Sequence, residues 1–264
     1  MTESWSRRAL FALEPERAHT LMLTGVRWAH GLGLLRRGHH QQAADAGCTV
    51  MGLAFPNRIG LAAGLDKNAD AARGLAALGF GFVEFGTVTP RPQAGNPRPR
   101  VFRLPDDKGI INRLGFNNKG VDHLVRRLRR APPPGVVGVN IGKNRETPPE
   151  KALEDYCTCL RAVYDFCSYV TVNLSSPNTP GLRALQHGSQ LDKLLAGVTH
   201  ERDRLAESRQ RYVPLVVKID PDMDAQQRAA VLDALIYYRI DGVAATNTTV
   251  SRPESLVDRS VAEE

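Results

Sequence analysis

Two lysines, a set of side-chain amides and several hydroxyls recur in this sequence, each at the end of a short apolar run. Lys67 follows the run 59–63, Thr87 closes 82–88, and Asn140 and Asn173 close the next two. Lys218 ends another, and Thr246-Asn247-Thr248 ends the last. The densest segment is Asn173-Leu174-Ser175-Ser176-Pro177-Asn178-Thr179-Pro180-Gly181. Its two prolines and glycine force a sharp turn, and its amides and hydroxyls both donate and accept. A second amide-rich turn is Asn112-Arg113-Leu114-Gly115-Phe116-Asn117-Asn118. The turn Ala63-Gly64-Leu65-Asp66-Lys67-Asn68 adds small residues that let backbone approach a flat ring. Such a set suits a planar ligand with many hydrogen-bonding positions. His19, His30, His39, His40, His123, His187 and His200 avoid the strand ends. No metal set and no Ser-His-Asp arrangement is therefore expected, which disfavours hydrolysis by triad or zinc. Redox chemistry on a bound cofactor fits the residues better.

The elements that must position these groups follow from the pattern. The chain has 264 residues, 42% hydrophobic and 24% charged, with a net charge of +7. That composition is globular, and no apolar stretch is long enough for a transmembrane helix. The positive balance fits an anionic ligand, an anionic membrane face or nucleic acid, or simply an Arg-rich surface such as Arg126-Arg127-Leu128-Arg129-Arg130 on a solvated helix. Cys48, Cys157, Cys159 and Cys167 form no zinc array; Cys157 and Cys159 sit two apart in a predicted helix and point to different faces. They are expected to be reduced thiols of a cytosolic protein.

From about residue 50, apolar runs alternate with helical patterns. Predicted strands are 59–63, 82–88, 136–141, 169–174, 214–219 and 242–246. Predicted helices are 69–78, 119–130, 149–167, 189–207 and 224–238, with a hairpin pairing 101–104 and 110–114. Continuous apolar strands separated by helices mean parallel pairing. In a (β/α)8 barrel all strand carboxyl ends meet at one mouth, which accounts for six strands ending in polar residues. An open Rossmann sheet would carry a Gly-x-Gly-x-x-Gly turn, and none follows any strand. The expected fold is therefore α/β of the TIM-barrel type. Ahead of it, residues 7–37 predict two helices, with an apolar stripe at Ala18, Leu21, Met22, Val26 and Ala29, a shorter patch at Leu10, Phe11 and Leu13, and cationic flanks at Arg17, Arg27, Arg36 and Arg37. This extension either caps the barrel or meets a membrane interface.

These motifs, in order from the N-terminal helices to the last residue, resemble dihydroorotate dehydrogenase. The segments that carry the likeness are 63–68, 112–117, Asn140-Ile141-Gly142-Lys143-Asn144, 172–179, Lys218-Ile219 and 245–249. Serine at 176, rather than cysteine, points to the quinone-dependent class 2, and residues 11–19 resemble that class's helical extension. The resemblance implies oxidation of (S)-dihydroorotate to orotate in pyrimidine biosynthesis, with FMN as hydride acceptor and ubiquinone or menaquinone as final acceptor. It implies peripheral attachment at the cytoplasmic face of the cell membrane, a monomer, and no nucleic-acid partner. Ser176 matches the catalytic base, with Thr179 and a water as its proton outlet. Asn112, Asn173, Asn178 and Asn247 match the amides that hold the pyrimidine and its carboxylate. Thr248 and the backbone of Arg113, Leu114, Gly115 and Phe116 match further substrate contacts. Lys67 matches a contact to substrate and flavin. Ala63, Gly64, Leu65, Asp66, Thr87, Asn140, Asn173, Lys218 and Thr246 match flavin contacts, Lys218 countering negative charge on the ring.

The expected division is an N-terminal extension, 1–45, and a barrel, 46–264. A barrel of eight units takes roughly 250 residues. Here six strands are counted and the last two βα units, with their Gly-rich phosphate turns, are missing, so the barrel is expected to be incomplete. The alternatives are an inactive or weakly active fragment, a related FMN barrel reductase, or a remnant that binds through its basic surface.

Overall fold

The computed structural model describes residues 10–35 and 47–262. Residues 1–9 and 36–46, which hold parts of the expected N-terminal extension, lie outside the described residues, as do 263 and 264. Of the two helices expected in 7–37, one is described at length, α1 (Pro15–Gly31), after a helical turn at residues 10 and 11. Pro15 opens it and Glu14 caps it, its carboxylate accepting from the amides of Glu16 and Arg17 at 3.0 and 2.9 Å. In the predicted stripe Ala18 is buried, whereas Leu21 faces outward.

A hairpin that the pattern did not predict comes next: β1 (Cys48–Val50) and β2 (Leu53–Phe55), antiparallel. Its two turn residues, Met51 and Gly52, both have positive φ (54° and 75°), the backbone of a tight two-residue connection. The main sheet has six parallel strands: β3 (Gly60–Leu61), β4 (Phe82–Val88), then, beyond the excursion, β7 (Val136–Ile141), β8 (Tyr169–Asn173), β9 (Leu215–Lys218) and β10 (Gly242–Ala244). They pair in the order β3-β4-β7-β8-β9-β10. The excursion is the antiparallel hairpin β5 (Val101–Leu104) and β6 (Gly109–Asn112). The crossovers are α2 (Ala72–Ala76), α3 (Val121–Arg130), α4 (Ala152–Val163), α5 (Gly188–Arg209) and α6 (Ala225–Tyr237).

Of the central strands, apolar and paired on both sides, β4 and β7 match the predicted bounds, β8 ends one residue early, and β9 is one residue shorter at each end. The two edge strands are shorter than predicted, since each has one partner. Helix α2 starts late because Ala69 is left-handed (φ 56°), and the predicted helix 149–167 is α only in its middle, with 3-10 turns at 149–151 and 164–166. The core lies between the sheet's outer face and the helices, with Phe85, Leu124, Tyr156, Leu160, Val170 and Leu195 all fully buried. Cys157 lies near Glu201 of α5 and Cys159 near Asp122 of α3, the two faces expected, and burial pushes both thiols up.

Five strand spacings would separate β3 from β10 by about 24 Å in a flat sheet. Yet Lys67, after β3, and Thr246, after β10, line one cavity. The sheet is therefore curled, with its carboxyl ends gathered at one mouth, as six successive units of a (β/α)8 barrel.

Candidate active site

The mouth holds a cavity of about 700 Å3. Its floor is built from strand ends. Thr87, at the end of β4, donates to the Asn140 side-chain oxygen at 2.6 Å, and the Asn173 amide donates to Thr87 and Asn140 at 3.0 and 3.1 Å. Gly86 makes this closeness possible: it has φ 108°, and a Cβ there would fall 2.3 Å from the Asn140 carbonyl oxygen. Tyr156 on α4 donates its hydroxyl to the Asn173 carbonyl at 2.8 Å and fixes the strand end from behind.

Ser176 lines the cavity and is nonetheless buried; its Oγ accepts the Asn178 amide at 3.3 Å. Asn178 in turn donates to the Asn112 carbonyl at 3.3 Å, tying the β8 turn to the hairpin. Asn247 donates to Ser175 Oγ at 3.0 Å, and its Oδ1 accepts the Thr248 amide at 2.8 Å. Thr246 donates to the Asn247 carbonyl at 2.8 Å. Lys67 reaches the Gly64 carbonyl at 2.9 Å. Burial, then the Arg100 guanidinium, push its ammonium down to about 8, against the pull of Glu16 and Asp66. Burial also lowers Lys218, opposed by the carboxylate of Glu84.

Of the residues singled out in the sequence, Ala63, Gly64, Leu65, Lys67, Thr87, Asn112, Leu114, Gly115, Phe116, Asn173, Ser176, Asn178, Lys218, Thr246, Asn247 and Thr248 line this one space. Three do not. Asn140 lies directly beneath the floor. Asp66 turns away, because its carboxylate caps the amides of Asn68, Asp70 and Ala71. Arg113 points outward, with its guanidinium 4.9 Å from the Phe102 ring centre. The carbonyls of Arg113, Leu114, Gly115 and Phe116 are held by Asn96, Gln93 and Asn118, so this turn is braced from behind.

Several residues were not read from the strand-end pattern. The cavity's far wall is α1, through Pro15, Ala18, His19 and Met22, with Glu16 beside them. Their spacing (i, i+3, i+4, i+7) is a helical face and was visible as such. Among the described histidines, His19 enters the cavity from the helix, its Nε2 2.5 Å from the Leu65 carbonyl. Arg100 is buried and grips Glu16 through Nη2 at 2.8 Å, and Arg98 adds a contact at 2.9 Å. Arg103 of β5 donates to the Phe11 and Leu13 carbonyls at 3.1 and 2.8 Å. Thus β5 and the segment before it fasten α1 over the mouth.

The fit to a flat, polar-edged cofactor is good. The volume lies in the range of small-molecule sites, and small residues (Ala63, Gly64) stand among donors. Among the described residues, Asn117 Oδ1 and Thr179 Oγ1 are buried without a partner. Asn117 itself lines the cavity, with its Oδ1 closed off from the open space.

A family model described as dihydroorotate dehydrogenase matches residues 46–264. The chain is 53% identical over 254 residues to a Saccharophagus degradans protein named dihydroorotate dehydrogenase (quinone), covering 94% of this chain and 73% of that protein. A protein of the same name from Alkalilimnicola ehrlichii is 57% identical over 248 residues, covering 93% and 72%. Among solved structures, DHODH from Eimeria tenella in complex with ferulenol is similar with a TM-score of 0.84 and 37% identity, over 97% of this chain and 73% of that one.

Proposed function

The chain belongs to the dihydroorotate dehydrogenase family, and we propose that its cavity oxidises dihydroorotate to orotate in pyrimidine biosynthesis, with FMN against the strand ends and a quinone as final acceptor. The observation that carries the proposal is that Lys67, Asn112, Ser176, Asn178, Lys218 and Asn247, spread over most of the chain, line a single space.

FMN, when bound, supplies the acceptor for hydride from C6 of the substrate and passes electrons onward. The protein does the rest. Ser176 Oγ takes the C5 proton. A serine hydroxyl is a weak base, and here the Asn178 amide donates to it, stabilising charge on the oxygen. The serine is largely buried, and Thr179, three residues on, whose hydroxyl has no partner among the described residues, is the outlet for its proton. Lys67 meets the substrate carboxylate with an ammonium. Asn112, Asn178, Asn247 and Thr248 hold the pyrimidine edge. Thr87, Asn173, Lys218 and Thr246 hold the flavin, with Asn140 supporting them from below. The quinone approaches along the α1 wall, past His19 and Arg103, from a membrane surface on which the exposed Leu21, Trp28, Leu32 and Leu34 rest.

The test is to purify the chain, look for flavin absorbance and follow dihydroorotate-dependent quinone reduction. Ser176→Ala is expected to lower kcat by about 10² or more while orotate still binds. Equal activity in the alanine variant would remove the base.

A further inference from the structure

Beneath the cavity floor, inside the curled sheet, Glu84 of β4 is the one acid in its strand and is buried. Three groups point at it: Asn140 Nδ2 on Oε1 at 2.8 Å, and the hydroxyls of Tyr169 and Thr171 on Oε2, both at 2.9 Å. From there the donors run one way up to the cavity. Asn140 spends its nitrogen on Glu84, so its oxygen faces up to Thr87 and Asn173. Asn173 donates down to both, so its oxygen accepts Ser175 through N and Oγ. Ser175 Oγ, its proton given to Asn173, accepts from Asn247.

We propose that Glu84 is a positioning residue: as the terminal acceptor of this chain of donors, it sets which end of the Asn173 and Asn247 amides meets the ligand. An amide can turn end for end at little cost unless its partners forbid it. A carboxylate offers acceptors only. With Oε2 filled by Tyr169 and Thr171, Asn140 has a single orientation, and every amide above it inherits one. Burial and the neighbouring carboxylate push the Tyr169 hydroxyl up, which keeps it a donor. Glu84 also faces Lys218, the cation on the adjoining part of the floor. This assignment rests on the dihydroorotate reading only for the identity of the ligand.

Glu84→Gln keeps the shape but offers one acceptor and one donor, so both orientations become available. With asparagine-selective 15N labelling, the side-chain amide signals of Asn140, Asn173 and Asn247 should shift or double together in Glu84→Gln. Those of Asn118 and Asn144, in a separate buried network, should stay. Thr171→Val, which removes a donor but leaves the acceptor, should leave Asn173 and Asn247 in place. Orotate affinity should fall roughly tenfold in Glu84→Gln. Unmoved Asn173 and Asn247 signals in Glu84→Gln, or equal movement in Thr171→Val, would overturn the assignment. Should Glu84→Gln not fold, the unaltered protein decides: the Asn140 side-chain protons must exchange slowly, and exchange as fast as an exposed amide overturns it. A wild-type chain that binds neither flavin nor orotate would sink the dihydroorotate reading instead, and the amide signals would still judge Glu84.

Discussion

Lys67 is the residue whose chemistry is most altered by its place. Held at about 8 by burial and by Arg100, it is partly neutral in mildly alkaline solution, where an exposed lysine keeps its charge. Orotate affinity should therefore fall as pH rises through about 8. The bound carboxylate favours the ammonium, so with orotate in place the group titrates higher. Lys67→Gln should bind weakly and flatten this dependence; calorimetric titration across pH checks both, and an unchanged profile would remove Lys67 from the carboxylate. Residues such as Lys67, Asn173 and Lys218 were legible because each interrupts an apolar run at its end. Glu84 was not, because a single acid within Phe82-Val83-Glu84-Phe85 carries no mark of which face it takes. Asp66 and Arg113 sit in the right turns but point elsewhere, since backbone amides claim the first and the Phe102 ring the second.

At the level of elements, α1 has two jobs with different requirements. Its inner face walls the cavity with Ala18, His19 and Met22, while Trp28, Leu32 and Leu34 beyond it are 63%, 69% and 73% exposed. Replacing Trp28 and Leu32 by serine should weaken sedimentation with anionic lipid vesicles and leave turnover with a water-soluble quinone analogue near wild type. Loss of both activities together would place these side chains in the fold rather than on a membrane. Glu14→Ala removes the cap of the same helix and should cost about 1 kcal/mol in denaturant unfolding. The central strands β4 and β7 were read to the residue, because continuous burial leaves no ambiguity about where they run. The hairpin of β1 and β2 was missed because three-residue strands give too short an alternation, and its clearest sign was Gly52 in the turn. That α1 belongs to the site was half legible. Its apolar stripe was visible, but what the stripe covers depends on Arg100 and Glu16 meeting across 84 positions.

On the scale of the whole molecule, the curl of the sheet makes the cavity a bridge between its two edges. A ligand touching Lys67 after β3 and Thr246 after β10 ties together strands that share no backbone hydrogen bond. Saturating orotate or flavin, at about a hundred times its dissociation constant, should add about 2.7 kcal/mol to stability. Amide exchange should slow at both edges at once; protection of one edge alone would mean that the ligand sits elsewhere. The barrel class and the convergence on one mouth were legible from six strand ends of the same character. The roof was legible only as one of two alternatives, a cap or a membrane face, because it is held by pairings distant in sequence. Roof and floor also differ in what fastens them. The floor is joined by amides and hydroxyls around one acid, whereas α1 is pinned through Glu16. Although burial works against it, the guanidinium of Arg100 and then Arg98 hold that carboxyl below its ordinary value. The pinning is thus complete above the usual carboxylate range and is lost as pH falls through the lowered value. Acid should therefore loosen the helix over the cavity, and the vessel should then admit large dyes more readily than in neutral solution.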